Sequence, residues 1–183
     1  MKPIISSHIR VRYPEIFQIG HDSIIDDYCY FAARIRIGIS SHIASGCSVA
    51  GGIQFTFEMG DFSSLSSGVK IWCASNDFAN DLVVINPPEF KMETACPVEG
   101  DVSLGHYTGV GANSVIMPQN KVPEGTVIGA LSFVPPAYTF EPWSVYAGVP
   151  VRLIGRRNRE KILKQIEHLR DYLTRENHDR TIT

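Results

Sequence analysis

Asn76 and Asp77 form a polar pair at the point where a regular repeat gives way to an irregular segment. A carboxylate beside an amide can orient an amine, but neither group is a strong base at neutral pH. Histidine is the usual general base, and none lies near the pair. The histidines are His8, His21, His42, His106, His168 and His178. The alternative is that Asp77 caps the segment and Asn76 is an ordinary turn residue.

Two runs of apolar residues, spaced six apart, must position this pair. The first run is Ile19, Ile25, Phe31, Ile37, Ile43, Val49 and Phe55. The second is Val98, Leu104, Val110, Ile116, Val122, Ile128 and Val134. Between them the register slips, because Met59 continues the pattern four residues after Phe55. Neither a helix nor a single strand has a period of six, so the repeat predicts a parallel β-helix of stacked coils.

A second spacing, of eighteen residues, indicates how many sides each coil has. Cys29 and Cys47 are eighteen residues apart, and so are Ile35 and Ile53. Eighteen is three hexapeptides, so we expect triangular coils with these pairs stacked one above the other. None of the four cysteines forms a CxxC pair, which favours stacked core thiols over a zinc site or a disulfide.

Three segments do not follow the ladder. Residues 1–18 fit no hexapeptide, and Val11 to Phe17 is predicted as one extended segment over the first coil. Residues 76–97, with Pro87-Pro88, are predicted as an excursion from the β-helix, and such loops commonly carry function. Residues 135–150 hold four prolines and are predicted as an irregular closing coil.

The last segment has helical periodicity. Apolar residues recur at spacings of three and four between residues 158 and 176, which predicts an amphipathic helix. They are Ile162, Leu163, Ile166, Leu169, Tyr172 and Leu173. Such a helix is expected to pack on its own β-helix or on a neighbouring one.

The late coils resemble a known family. VGANSVIMP, VIGALSFV and YAGVPVRLIG are similar to the final repeats and closing segment of the hexapeptide-repeat acyltransferases, over residues 19–155. The resemblance implies an all-β fold: a left-handed parallel β-helix with an excursion loop and a C-terminal α-helix. The expected division is a β-helix acyltransferase domain over 1–155, with the excursion at 76–97, followed by a helix and tail over 156–183.

The same resemblance gives the Asn76–Asp77 pair a chemical role. Related acetyltransferases use a histidine in or beside the excursion to deprotonate a hydroxyl, and this chain has none there. An amine attacks as the free base and needs less help with its proton than an alcohol does. The chain therefore resembles the subgroup that N-acylates nucleotide-linked amino sugars for surface polysaccharides. Asp77, with Asn76 beside it, is expected to orient the amine.

The resemblance also implies an acyl-CoA donor, with acetyl-CoA first, and no metal. In the family, pantetheine runs along the late coils past small residues at a cleft between subunits. The matching positions here are Gly111, Ala112, Gly129 and Ala130. Arg152 stands at the basic position that meets a phosphate of CoA.

Two further positions leave questions open. His106 is the remaining base candidate within the coils, although its place in the hexapeptide favours a structural or surface role. Gly109 stands where sugar-hydroxyl transferases of the family often have a tryptophan, and the hypothesis is that the vacated space admits an acyl group larger than acetyl.

The composition limits the classes of protein to which the chain can belong. The net charge of −2 argues against a nucleic-acid binder, and no apolar run is long enough to span a membrane. The start of the chain does not have the pattern of a signal peptide, so the cytoplasm is expected. The family resemblance implies a homotrimer with active sites between subunits. The alternatives are a sugar O-acetyltransferase, a carbonic anhydrase of the same fold, and a scaffold without activity.

Overall fold

A computed structural model describes residues 1–76 and 97–179. Short parallel strands stack into a three-sided solenoid whose sides are called faces A, B and C here. Face A holds β1 (Ile4–Ile5), β4 (Ile24–Ile25), β6 (His42–Ile43), β8 (Ser64–Leu65), β13 (Gly109–Val110), β16 (Val127–Ile128) and β18 (Ser144–Gly148). Face B holds β2 (Arg10–Val11), β9 (Lys70–Trp72), β14 (Val115–Ile116) and β17 (Phe133–Val134). Face C holds β3 (Phe17–Ile19), β12 (Val102–Leu104) and β15 (Lys121–Val122).

Two long strands bend around a corner and belong to two faces. β5 (Tyr30–Ile37) and β7 (Ser48–Met59) each begin on face B and end on face C. Their pairing with each other is the most extensive between parallel strands of the solenoid, and it joins the early coils to the later ones.

The core is the stack of repeat-opening side chains inside the triangle. On face A it contains Ile25, Ile43, Leu65, Val110 and Ile128, each at most 2% exposed. The other two faces contribute equally buried side chains, among them Phe31, Val49, Ile71, Ile116 and Val134 from face B and Met59, Leu104 and Val122 from face C. The six-residue ladder was therefore correctly interpreted as the inward-facing position of each side.

One coil is longer than its neighbours, and this corrects part of the ladder. Within the β5–β7 pair, Ala32 lies opposite Ala50 but Arg34 lies opposite Thr56, so four extra residues enter at the corner between faces B and C. Met59 rather than Phe55 consequently pairs with Ile37. The predicted stacking of Ile53 on Ile35 is wrong for the same reason: Phe57 lies opposite Ile35, and Ile53 is 48% exposed.

The first coil begins earlier than the ladder indicated. β1 pairs with β4 and β2 with β5, so residues before Ile19 already belong to the solenoid. The segment from Val11 to Phe17 is not one extended strand, because Pro14–Ile16 form a 3-10 turn at the corner. A proline near the start of such a turn fits its fixed φ angle.

An antiparallel ribbon joins the two ends of the segment that was predicted as the excursion. β10 (Ala74–Asn76) pairs with β11 (Pro97–Glu99). Val98, predicted to open a repeat, lies opposite Ser75 in this ribbon, so the second ladder begins at Leu104. The ribbon leaves the corner between faces B and C, the same corner that holds the four extra residues.

The C-terminal segment closes the solenoid and then turns back along it. β19 (Val151–Arg156) pairs antiparallel with β18, and α1 (Arg159–Asp179) follows. The half-buried guanidinium of Arg157 donates hydrogen bonds to the carbonyls of Tyr107 and Gly125, both at 2.7 Å. Within the described ranges no helix, α1 included, combines the length and the apolar run that a bilayer-spanning segment requires.

Candidate active site

The small residues predicted to line the donor site lie together at the corner between faces A and B. Gly111 N–H donates to the Ile128 carbonyl at 2.7 Å, and Leu131 N–H donates to the Ala112 carbonyl at 2.9 Å. A Cβ added to Gly111 would lie 2.2 Å from the backbone nitrogen of Ala130. Close stacking of the coils therefore requires glycine at this position, whatever lies outside it.

The same corner continues toward the N-terminal coils through two serines that the sequence analysis did not select. Asn113 N–H donates to the Ser67 carbonyl, and Gly68 N–H donates to the Ser45 carbonyl. Pairing of Val110 with Leu65 and of Leu65 with Ile43 sets Ala112, Ser67 and Ser45 in equivalent positions of successive coils. This equivalence can be derived from the sequence only when the offsets between the coils, 22 and 45 residues, are known.

Arg152 lies at the far end of this corner. It stands on β19 directly opposite Ala147, and Ala147 follows the residue that pairs with Ile128. A Cβ on Gly129 would lie 2.9 Å from the Ala147 Cβ, so the two residues are neighbours in the stack. Arg152 is exposed, and it makes no ion pair with any residue the structure describes. We call the line from Arg152 through Ala130 and Ala112 to Ser67 the donor corner.

Asn76 lies elsewhere on the molecule. It ends β10, opposite Pro97, and its side chain is exposed at the corner between faces B and C. Asp77, the other predicted catalytic residue, falls outside the described residues. Within one chain the structure therefore separates Asn76 from the donor corner by the width of face B.

His106 lies at the third corner, between faces C and A. Its Nδ1 accepts a hydrogen bond of 2.9 Å from the backbone N–H of Asp61. The same nitrogen lies 3.4 Å from Asp61 Oδ2. These contacts join two coils through His106. His106 also borders a shallow surface cavity of about 370 Å³, together with Glu58 and Lys121.

Gly109 opens onto a cavity beneath the C-terminal helix. A Cβ at this position would meet only the Val127 side chain, at 3.6 Å. The cavity measures about 220 Å³ and is roofed by Ile162 and Ile166 of α1. Ile162 and Ile166 of the stripe thus pack on the β-helix of the same chain, whereas Leu169 and Tyr172 are exposed. There is space at Gly109.

The buried cysteines behave as core side chains. Cys29, Cys47 and Cys73 are free thiols, and Cys29 and Cys47 stack in adjacent coils as predicted. Burial raises the pKa of Cys73 to about 12. The hydrogen bond between the stacked thiols, with burial, raises the pKa of Cys47. Over residues 1–76 and 97–179, no three or more histidine, cysteine, aspartate or glutamate side chains are grouped to hold a metal ion.

No protein-family model matches the chain. Individual proteins and solved structures are nevertheless similar to it. The chain is 32% identical over 145 residues to a dTDP-4-amino-4,6-dideoxy-D-glucose acyltransferase of Escherichia coli, covering 78% of this chain and 72% of that protein. A hexapeptide-repeat acetyltransferase of Vibrio cholerae shares the fold at 20% identity, with a TM-score of 0.56 over 79% of this chain and 76% of that one.

A third relative has been solved with ligands. AntD, an N-acyltransferase of Bacillus cereus, is 31% identical with a TM-score of 0.83, covering 93% of this chain and 88% of that one, in complex with dTDP and 3-hydroxybutyryl-CoA. A variant of AntD holds dTDP-4-amino-4,6-dideoxyglucose and CoA. This similarity confirms the predicted fold class, a left-handed parallel β-helix with a C-terminal helix.

Proposed function

This chain belongs to the nucleotide-amino-sugar N-acyltransferases of the hexapeptide-repeat family, and we propose that it transfers an acyl group from acyl-CoA to the 4-amine of a dTDP-linked 4-amino-4,6-dideoxyhexose. The observation that carries the proposal is the match to AntD over 93% of the chain. AntD is complexed with both kinds of ligand, a dTDP-sugar and CoA.

The reaction joins two substrates without a metal. The amine nitrogen attacks the carbonyl carbon of the thioester, the new C–N bond forms, and the C–S bond breaks. The proton that nitrogen loses ends on the departing thiolate, which leaves as CoA. Because the free amine is already a nucleophile, the protein has to bind it unprotonated and hold it in line with the thioester.

Asp77, assisted by Asn76, orients the amine in this proposal. Asn76 ends the ribbon at the base of the excursion, and Asp77 follows it. Comparison supports these residues: AntD has been solved with substitutions at one serine and at one aspartate ten residues further along. A serine and an aspartate are also ten residues apart here, at Ser67 and Asp77.

The donor lies along the donor corner. Gly111, Ala112, Gly129 and Ala130 have no side-chain atom beyond Cβ, which leaves the backbone at these positions accessible to the pantetheine arm. Arg152 binds a phosphate of CoA. Two observations support this role: Arg152 is exposed at the end of the corner, and it forms no ion pair with the residues that the structure describes.

Assembly completes the site. The donor corner and the β10–β11 ribbon at the base of the excursion occupy different corners of one chain, on opposite sides of face B. A second copy that brings its excursion against the donor corner would unite the two substrates. This arrangement supports a homotrimer with each active site between two subunits.

The biological setting follows from the substrate class. A nucleotide-linked amino sugar is an activated precursor, so its acylated product serves the biosynthesis of a surface polysaccharide. Such precursors are made where nucleotides and CoA are available, which supports a cytoplasmic location.

A direct assay tests the proposal. The purified protein is incubated with dTDP-4-amino-4,6-dideoxyglucose and either acetyl-CoA or 3-hydroxybutyryl-CoA, and thiol release is followed together with product mass. We expect a product heavier by one acyl group that survives alkaline hydroxylamine, because that reagent cleaves esters and leaves amides intact. An acyl group removed by hydroxylamine would show a hydroxyl acceptor and support the alternative, a sugar O-acetyltransferase. No acyl transfer to any amino sugar of this class would overturn the proposal.

A further inference from the structure

The cavity between α1 and face A has walls of two kinds. Ile162 and Ile166 of α1 line one side, and Gly109 and Val127 of face A line the other. Its volume of about 220 Å³ is below the roughly 300–1,000 Å³ of sites that take drug-sized ligands, so only a small molecule fits. No residue of the donor corner lines this cavity, which separates it from the CoA site proposed above.

Arg157 brings a positive charge to the cavity lining. Its guanidinium is half-buried, and the loss of solvation lowers the pKa of Arg157 from its ordinary value. The group nevertheless stays protonated, because an arginine side chain does not deprotonate in proteins. It forms no ion pair with any carboxylate in the described ranges. Buried charges in proteins are usually paired, so this side chain favours an anionic ligand.

One edge of the Arg157 guanidinium has the geometry that a carboxylate needs. The bonds to the Tyr107 and Gly125 carbonyls both come from Nη1. Nε and Nη2 form the other edge, and neither donates to a residue that the structure describes. Two parallel N–H groups on such an edge can bind both oxygens of one carboxylate.

A second arginine strengthens the positive potential around the cavity. Arg170 Nη2 donates to the Tyr107 hydroxyl at 3.2 Å, and its guanidinium lies 5.5 Å from the centroid of the Phe62 ring. Tyr107 and Phe62 both line the cavity, and no acidic side chain is among the described residues that do so. The local potential therefore favours an anion.

We propose that this cavity is a binding site for a small organic carboxylate with an apolar body. The carboxylate pairs with the Nε–Nη2 edge of Arg157, and the body packs between Val127 and the two isoleucines of α1. A phosphate fits less well, because its additional oxygens would lie against apolar walls. The ligand contacts α1 and the solenoid together, so its binding stabilises the docked helix. This site requires no acyl transfer, and its existence does not depend on the proposed function.

Two carboxylates and their uncharged amides test the chemistry of the ligand. Benzoate is compared with benzamide, and hexanoate with hexanamide, by calorimetry on the full chain at constant ionic strength. We expect saturable binding of at least one carboxylate and binding of its amide that is at least tenfold weaker, since a charge-assisted hydrogen bond contributes a factor of about 10 to 100. Equal affinities within a pair, or no saturable binding of either carboxylate, would overturn the proposal. Tighter binding of inorganic phosphate would show that the apolar body is not recognised, which also contradicts it.

Gly109→Val tests the location, because its side chain fills the cavity without changing Arg157. A Cβ at this position would meet only the Val127 side chain, at 3.6 Å, so the fold should be retained. We expect carboxylate binding to be lost. Ser64→Val is the matched control, since Ser64 pairs with Gly109 in the neighbouring coil but does not line the cavity. Its affinity should equal that of the wild type.

Arg157→Lys keeps the positive charge but removes the paired N–H edge, and it should weaken carboxylate binding at least tenfold. Circular dichroism checks that each variant is folded. Because Arg157 also joins two carbonyls, Gly109→Val decides the question if the lysine variant does not fold. Carboxylate binding by Gly109→Val with the affinity of the wild type would place the ligand elsewhere, and the proposal would be wrong.

Discussion

The Asp101 carboxylate accepts a hydrogen bond of 2.7 Å from the backbone N–H of Thr56. Thr56 directly follows the four-residue insertion, and Asp101 follows the β10–β11 ribbon, so this contact joins two irregular segments at one corner. Gln119 Nε2 adds a second contact by donating to the Glu99 carbonyl at 2.9 Å. The base of the excursion is thus held on both sides by neighbouring coils.

Arg152→Ala should raise the KM for acyl-CoA and leave kcat near its wild-type value. A charge-assisted hydrogen bond contributes about 1.5–3 kcal/mol, which corresponds to a factor of about 10 to 100. Steady-state kinetics with varied acyl-CoA measure the effect. Arg36→Ala is the control, since Arg36 is also an exposed strand arginine but lies on face C. An unchanged KM for Arg152→Ala would contradict phosphate binding.

Asp77→Asn should slow turnover without abolishing it, and Asp77→Ala should slow it more. The asparagine retains the shape that orients the amine, whereas alanine loses both shape and charge. If Asp77 were the general base, either substitution would lower the rate of acyl transfer by a factor of about 10²–10⁴. Single-turnover measurements at saturating substrates compare the two variants, and equal losses of that size would show that Asp77 removes the proton itself.

Gly111→Ala should destabilise the fold, whereas Gly109→Ala two residues earlier should not. The added Cβ would lie 2.2 Å from the Ala130 nitrogen in the first case and 3.6 Å from the Val127 side chain in the second. Overpacking of this kind costs about 1–3 kcal/mol. Urea unfolding of both variants measures the difference. Similar stabilities would mean that the coils can separate at the donor corner.

The free energy of unfolding should fall as the pH rises above about 9, and less steeply in Cys73→Ala. Burial raises the pKa of Cys73 to about 12, so the folded protein keeps this proton, whereas the unfolded chain loses it near the ordinary thiol pKa of 9.0. The unfolded state then binds fewer protons, and stability declines by up to about 1.4 kcal/mol per pH unit for this group between pH 9 and 12.

Denaturant titrations at several pH values measure both slopes. The alanine variant is expected to be less stable at neutral pH because it leaves a small cavity, but only its slope tests the titration. Parallel slopes for the two proteins would contradict the assigned cause.

The repeat spacing was sufficient to predict the ladder because an inward-facing position every six residues leaves an apolar signal. Val110, Ile128 and Val134 were found in this way and are fully or almost fully buried. Phe55 and Ile53 were misassigned because extra residues at a corner change the offset between coils without changing the local pattern.

The candidate site was harder to predict, since its parts are distant in sequence. The small residues and Arg152 could be selected from the late coils, where every coil has eighteen residues. The equivalence of Ser67 and Ala112 could not be found from the sequence, because 45 residues separate them and no local periodicity crosses the excursion. His106 needed the structure, because only its contact with the Asp61 N–H fixes which ring nitrogen is exposed.

The corners of the solenoid differ in the number of residues that they contain from coil to coil. Residues can be added between faces B and C, as in the 22-residue coil, and the ladder resumes undisturbed on the next face. The late coils at the donor corner keep their 18-residue period, which holds Gly111, Gly129 and Ala147 at a constant spacing. An insertion at one corner can therefore change the residues near Asn76 without altering that spacing at another corner.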